Sequence, residues 1–558
     1  MKPMTDKFSL LDNAIAEFLG QRCRCEDESQ TARFTRLVRE LSAALSSGDS
    51  CIHINADDRH ILQLSGLASE PEQQQNTPLI VENNRLYLKR YWQYETDLAQ
   101  AIRQKVANPP QPPENLPVIL DQYFPAATTE SDETDWQREA AANVAQQSFS
   151  IITGGPGTGK TTTILKILAI LQQIHQNELS IALAAPTGKA ANRLQESMAD
   201  GKLKLKFSDA INQAIPDEVK TIHRLLGSKP QSVYFKHNAD NPLVHDLIVV
   251  DEASMVDLAL MSKLVSALKP SARLLLVGDK DQLASVESGA VLNDLSAALQ
   301  ANTSELIKSW RFVADIKELA TAINNQDAQT AWHILKDPEN TACSLLETPL
   351  LSHIMQSSKA YFKGVQQLQN HKNEALHKIF ALHNQFQVLC SNRHGNRGVE
   401  GINRQIEHAL QLQGISTHHP WYHGKPILIT RNDRSTGLYN GDIGICLGEY
   451  SEDIGQYQYY VYFPQPKGSY KKLLPARLPQ HETAYALTIH KSQGSEFERV
   501  LVVLSDTINP VLGKELVYTA ITRAKKVVEI SSSEEVFKAA LSRHVARNSG
   551  LQEKLTHG

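Results

Sequence analysis

Ser148-Phe149-Ser150-Ile151-Ile152-Thr153-Gly154-Gly155-Pro156-Gly157-Thr158-Gly159-Lys160-Thr161 decides the fold. Its first residues, Ser148 to Ile152, are a short apolar run of strand character. A glycine-rich turn follows, and beyond it Ile164, Ile167, Leu168 and Leu171 recur at helical spacing. Strand, glycine loop and helix in that order make a phosphate cradle. The glycines let backbone N–H groups wrap the phosphates, and the helix N-terminus adds its dipole. Gly155, Pro156, Gly157, Thr158, Gly159, Lys160, Thr161 and Thr162 are the candidate nucleotide-binding residues. Lys160 is expected to pair with the β- and γ-phosphates and Thr161 to hold Mg²⁺.

Two further strands point the same way. Leu247-Ile248-Val249-Val250 ends in Asp251-Glu252, an apolar strand that delivers two carboxylates to its C-terminal end. After a phosphate loop, that arrangement assigns Mg²⁺ to Asp251 through water, and to Glu252 the positioning and deprotonation of the attacking water. Leu274-Leu275-Leu276-Val277 runs into Gly278-Asp279-Lys280-Asp281-Gln282, which places Gln282 to sense the γ-phosphate from a strand end. The expected class is α/β, a P-loop nucleotide hydrolase using ATP and Mg²⁺.

Composition leaves the partner open. With 558 residues, 41% hydrophobic and 21% charged, the chain has room for three or four domains of ordinary globular make-up. A formal net charge of −4 is not that of a protein coating nucleic acid with a basic surface, but a motor needs only a local basic groove. Asp6 and Lys7 stand where a signal peptide needs an apolar run, and no stretch approaches the roughly 18 apolar residues of a membrane span. Cysteines at 23, 25, 51, 343, 390 and 446 make no four-ligand site by spacing and read as free thiols of a cytoplasmic protein.

One linker stands out. Asn108-Pro109-Pro110-Gln111-Pro112-Pro113-Glu114-Asn115-Leu116-Pro117 reads as neither helix nor inner strand. Before it, Leu11, Ile15, Phe18 and Leu19 lie at helical spacing, as do Leu37, Leu41 and Leu45. Pro78–Val81 and Arg85–Leu88 flank Glu82-Asn83-Asn84 as a hairpin. The expected organisation is an α+β docking domain over 1–108, a linker over 109–130, a first motor domain over 131–300 and a second over 301–558. Ser232–His237 and the polar run to Val244 suggest a projecting hairpin at about 228–245. Short alternating runs with turns at Asn440-Gly441 and Gly455 suggest a small β-barrel inserted at about 425–478. Lys202, Lys204 and Lys206 form an alternating basic strip, read as a solvated face.

The remaining motifs carry a family resemblance. Ala185-Pro186-Thr187-Gly188-Lys189-Ala190-Ala191, Thr221–Gly227, Gly278–Val286, Ser309-Trp310-Arg311-Phe312, Thr488–Phe497 and Val517–Lys525 resemble, in order, the later motifs of superfamily 1 helicases. Trp136-Gln137 resembles the adenine-reading Q motif, and Gly424–Gly444 is similar to a segment of the RecD-like helicases. The short region before the motor, with its hairpin near Tyr87, resembles the N-terminal domain of the alpha subunit of bacterial exodeoxyribonuclease V.

The resemblance implies two RecA-like P-loop domains with ATP between them, a small α+β N-terminal domain and an inserted SH3-like β-barrel. It implies that Gln137 reads adenine and that Arg311 and Arg523 reach across the cleft to the transferring phosphoryl group. Pro186, Thr187, Lys189, His223, Thr488 and His490 become candidates for sequence-independent contact with single-stranded DNA; His223 reads equally well as a core histidine. The implied activity is ATP-dependent 5′→3′ unwinding of duplex ends in recombinational repair. The implied partners are beta (RecB-like) and gamma (RecC-like) subunits in a heterotrimer whose nuclease lies elsewhere. The rivals are a stand-alone RecD-like helicase and a non-enzymatic ATP-binding clamp.

Overall fold

The computed structural model describes residues 8–73, 75–125, 135–229, 232–285, 287–307, 314–368, 371–415, 417–433, 435–451, 455–465, 468–543 and 547–556. A six-stranded, all-parallel sheet forms the first motor domain. Its order is Thr303–Leu306, Phe149–Gly154, Arg273–Gly278, Leu247–Val250, Ile181–Ala185, Val219–Thr221. Parallel strands covered on both faces read as unbroken apolar runs, and Leu247–Val250 is buried at every position. Alternate residues serve two cores. Leu247, Val249, Leu275 and Val277 pack with the helices Lys160–Ile174 and Gly188–Leu205. Ile248, Val250, Leu274 and Leu276 pack on the opposite face with Leu258–Ser266.

The second motor sheet is also all parallel, in the order Cys343–Leu345, Ala524–Ser531, Phe497–Val503, Phe386–Cys390, Ala486–Thr488. Between its Phe386–Cys390 and Ala486–Thr488 strands the chain leaves to build a five-stranded antiparallel sheet. That sheet runs Tyr470–Leu473, Gln456–Pro464, Ile443–Ser451, Lys425–Ile429, His481–Thr483. It closes at Thr483, five residues beyond the 478 expected, because His481–Thr483 pairs with Ile427–Ile429.

The N-terminal residues fold around Phe34, Leu37, Leu41, Leu62, Leu79 and Leu86, with a four-stranded mixed sheet. The expected hairpin is present: Leu79–Glu82 pairs with Arg85–Leu88, and Asn83 and Asn84 turn it at φ 49° and 58°. In the Leu10–Gly20 helix the apolar spacing misleads. Leu11 and Phe18 are exposed, while Asp12 is buried as the N3 residue of a capping box and accepts the Ser42 hydroxyl at 2.6 Å.

Four domain expectations need correction. The Pro-rich linker holds a helix, Leu116–Tyr123, whose Leu116, Ile119 and Leu120 join the first motor core; Pro117 sits in its first turn, where a missing N–H costs nothing. The boundary at 108 cuts the motor, because Leu98, Ala99 and Ile102 of the Lys89–Val106 helix cover one face of its sheet. The boundary at 300 is early, since Thr303–Leu306 is that sheet's edge strand. The Leu551–Thr556 helix also packs on the first motor domain, where its Leu551 and Leu555 enter the core that holds Leu98.

Two local expectations also change. Between 228 and 245 the described residues form isolated bridges, Ser228 to Phe235 and Asn238 to Asn241, rather than a two-stranded ladder. The Asn238 side chain accepts the Asp240 and Asn241 N–H groups, and Pro242 has no N–H with which to extend the pairing. The lysine strip lies on the Gly188–Leu205 helix and its C-cap, and Lys202 is not solvated. Its amine donates to the Asn212 and Ile215 carbonyls and pairs with Asp217 at 2.6 Å.

Candidate nucleotide and nucleic-acid sites

Gly157 and Gly159 adopt φ of 81° and 83°, which L side chains rarely take, and they turn the chain from the Phe149–Gly154 strand into the Lys160–Ile174 helix. The Lys160 amine lies across this turn and donates to the Gly154 and Gly155 carbonyls at 2.6 and 3.0 Å. Two strands away, Asp251 continues the Leu247–Val250 strand by donating its N–H to Ala184. Glu252 then turns at φ 51°, a left-handed conformation for a residue with a side chain. Both carboxylates line one pocket with Pro156, Gly157, Gly159, Lys160, Thr161, Thr162 and Gln282. Burial first, and the neighbouring Glu252 charge second, push the Asp251 carboxyl up to about 6, against the pull of Lys160.

The opposite wall comes from the second motor domain. Arg523, 2% exposed, lines the pocket and donates Nε to the Thr519 carbonyl at 3.1 Å. Burial lowers its pKa, while Glu252 across the pocket favours its charge. The domains are latched around it. Tyr518 donates its hydroxyl to the buried Asp279 at 3.2 Å, and Gln282 donates to the same carboxylate at 2.8 Å. The Leu283 N–H donates to Thr519 Oγ1 and the Leu283 carbonyl accepts from Gln493 Nε2, each at 2.9 Å. Arg193 and Glu496 pair across the cleft and also line the pocket. No sequence signal marks Arg193, because its position on the Gly188–Leu205 helix resembles that of any solvated arginine.

A second cavity of about 890 Å³ runs along the same interface, lined by Thr187, Lys189, Ser285, Glu287, Thr488, His490, Lys491 and Gln493 among others. Lys189 Nζ is shielded from solvent with no hydrogen-bond partner among the described residues. Burial first, then Arg193 and Arg523, bring its amine down to about 8 against the pull of Asp442. Next to it, Gly188 is overlain by Tyr439 of the inserted segment, whose Cγ lies 2.7 Å from where a Cβ would stand. Thr187 caps its helix by accepting the Ala190 N–H, and Thr488 Oγ1 accepts the Lys491 N–H, so part of each hydroxyl's work is local. Asn392, Arg393 and His394, at the C-terminal end of the Phe386–Cys390 strand, also line the groove, beyond the residues that the motifs mark. A polar loop after an inner parallel strand is the signal that finds them.

Not every candidate gathers at these two cavities. Gly155 and Thr158 of the phosphate loop, and Gln137, do not line the pocket: the Thr158 hydroxyl donates to the Gly155 carbonyl, and Gln137 Nε2 donates to the Thr158 carbonyl at 3.3 Å. Pro186 and His223 do not line the groove. His223 is exposed, not a core residue, with its ring edge-on to Phe235 at 5.6 Å. Arg311 lies outside the described residues. Among the described residues no group of three or more His, Cys, Asp or Glu side chains is placed to hold a metal ion, the six cysteines form no disulfide, and no helix is long and apolar enough to cross a membrane.

A phosphate loop and an arginine facing each other from two parallel-sheet domains, with a groove along the same interface, define a superfamily 1 helicase motor. Two family matches agree: an AAA domain over residues 137–288 and a UvrD-like helicase C-terminal domain over 483–530. The RecBCD enzyme subunit RecD of Haemophilus influenzae is 36% identical over 86% of this chain and 82% of its own length. The chain belongs to this family of RecD subunits. The ATP-dependent RecD2 DNA helicase of Deinococcus radiodurans is 30% identical over 84% of this chain and 58% of its length. A Bacteroides Pif1 helicase solved with ADP-AlF3 and single-stranded DNA aligns at 17% identity and a TM-score of 0.37, covering 74% of this chain and 94% of that one.

Proposed function

We propose that this chain is the ATP-driven helicase subunit of a RecBCD-type exodeoxyribonuclease V, translocating 5′→3′ on single-stranded DNA and opening duplex ends for recombinational repair. The observation that carries the reading is the shared pocket, with Lys160, Thr161, Asp251, Glu252 and Gln282 on one wall and Arg523 on the other. Lys160 binds the β- and γ-phosphates, exchanging its two carbonyl partners for phosphate oxygens. Glu252 orients the attacking water and takes its proton. Gln282 reports the γ-phosphate, and Arg523, with Arg311 as the second cation, stabilises charge on the transferring phosphoryl group. Gln137 supports the adenine side of the site.

Thr161 and Asp251 would hold Mg²⁺. A hydroxyl beside a carboxylate whose charge is disfavoured by burial and by Glu252 is a hard-oxygen set that a divalent cation completes. When bound, the ion neutralises charge between the β- and γ-phosphates.

The groove beside the pocket supports DNA binding by Thr187, Lys189, Thr488 and His490, together with Arg393 and His394, while Pro186 and His223 are candidate contacts outside its lining. Lys189 brings to the groove a buried amine with no hydrogen-bond partner among the described residues. The 425–483 sheet is assigned as an SH3-like barrel and the N-terminal α+β unit as the docking domain for RecB-like and RecC-like subunits, the nuclease lying outside this chain. A stand-alone helicase is the alternative, favoured only if the purified chain unwinds DNA by itself. The test is ATP turnover with and without single-stranded oligonucleotides, followed by strand displacement on substrates with 5′ or 3′ tails. Activation by DNA of any sequence and displacement from 5′ tails are expected. Displacement from 3′ tails alone sinks the polarity, and turnover indifferent to DNA sinks the motor.

A further inference from the structure

The last described residues do more than close the fold. After the Glu534–Ser542 helix the chain leaves the second motor domain and returns to the first, where Arg547 lies against the loop that follows Gln282. Its Nη1 donates to the Glu287 and Gly289 carbonyls at 2.8 and 3.0 Å and its Nη2 to the Ser285 carbonyl. Three carbonyl dipoles converging on one point repel one another unless a cation sits between them, and a planar guanidinium supplies donors in two directions.

The same loop is gripped from the N-terminal domain. Gly289 donates its N–H to the Gly48 carbonyl at 2.8 Å, and Ser288 its hydroxyl to the Leu45 carbonyl at 3.0 Å. Gly48, at φ +100°, packs against the guanidinium so closely that a Cβ there would lie 2.6 Å from Arg547 Cζ. Asn548 completes the junction by donating its N–H to Asp49 and accepting that of Ser50.

This loop joins the two sites. Gln282 lines the nucleotide pocket, while Ser285 and Glu287 line the groove. Its proximal end, Leu283, is held by Thr519 and Gln493 of the second motor domain. Its distal end is held by Arg547 and the N-terminal domain. We propose that Arg547 is a positioning residue for the motor: it fixes Ser285, Glu287 and Gly289 of the loop against the N-terminal domain, so that DNA in the groove is registered at Gln282. The inference rests on the motor reading given above. In it, the N-terminal domain is part of the transmission, and a partner seated there acts on the DNA response through Gly48 and Arg547.

The test uses the full-length chain with Arg547→Ala, Arg547→Lys and Gly48→Ala. ATP turnover is measured without DNA and across a titration of a single-stranded oligonucleotide, together with the KM for ATP. For Arg547→Ala, DNA-free turnover and the ATP KM are expected within about twofold of wild type, and the DNA concentration for half-activation is expected to rise about tenfold. Arg547→Lys should recover part of the loss, because an ammonium satisfies some of the carbonyls. Gly48→Ala should reproduce the defect with the arginine still present, and carries the test if Arg547→Ala does not fold. Variants that match the wild-type DNA titration overturn the inference while leaving the motor reading intact. So does a proportionate loss of turnover with and without DNA, which would mark a merely structural role. A wild-type chain whose turnover ignores DNA overturns the motor reading and the inference together.

Discussion

Asp294→Asn is expected to stabilise the protein at pH 8 and to leave it almost unchanged at low pH. Asp294 stands in the first turn of the Val291–Ala298 helix, where the Leu551–Thr556 helix crosses it. Its Oδ2 is shielded from solvent and has no hydrogen-bond partner among the described residues. Burial pushes its carboxyl from 3.8 up to about 7 against the Ser549 hydrogen bond, and the buried Glu95 charge pushes the same way. Below pH 4 both the folded and unfolded chains hold the proton, and the site contributes nothing. Between about 4 and 7 only the folded chain holds it, so stability falls as pH rises, and above 7 the full penalty is in force.

Raising the carboxyl from 3.8 to about 7, at about 1.36 kcal/mol for each tenfold change in its proton equilibrium, sets a ceiling on the order of 4 kcal/mol. Because the side chain is only partly covered, about 1–3 kcal/mol is the expected measured gain, several degrees in melting temperature for domains of this size. The assay is thermal unfolding of wild type and variant across pH 5 to 8.5, read by circular dichroism. A residual slope of the same sign remains from Glu95, whose carboxyl is also raised by burial while its Oε1 accepts from Ser50, Ser549 and Gly550. A wild-type and variant pair whose melting temperatures differ by the same amount at every pH would refute the reasoning.

Lys160→Ala should abolish ATP hydrolysis without unfolding the chain, since among the described residues its amine hydrogen-bonds the Gly154 and Gly155 carbonyls alone; wild-type turnover by the purified variant would end the motor reading. Arg523→Ala should lower kcat by about 10³-fold or more with little change in ATP affinity, and parallel losses in both would reassign it to ground-state binding. A chain starting at Lys89 should keep a folded motor. One starting at Pro109 should lose several kcal/mol, about 1.5–3 for each of Leu98 and Ile102, and equal melting temperatures would contradict that packing.

The nucleotide site is legible in the sequence because its chemistry is local. Glycines at 157 and 159, a lysine and a threonine at a helix start, and two carboxylates after an apolar strand each occupy a few consecutive residues whose spacing is their function. The parallel sheets are legible for a related reason: strands covered on both faces need unbroken apolar runs. Leu11 and Phe18 show the limit, since helical spacing does not say which stripe is covered.

The remaining features depend on residues far apart in the chain. Nothing around Arg547 indicates that it meets carbonyls about 260 residues earlier, and the Lys89–Val106 and Leu551–Thr556 helices, from opposite ends of the chain, share one core. Arg193 looks like a surface residue until sheet order brings its helix to the interface, where the loop carrying Arg393 and His394 meets the same groove region. Local pattern sets which element forms. Which elements bury one another's apolar faces is settled by the packing of the whole chain, and that packing joins the N-terminal domain, the C-terminal tail and the loop between the two sites.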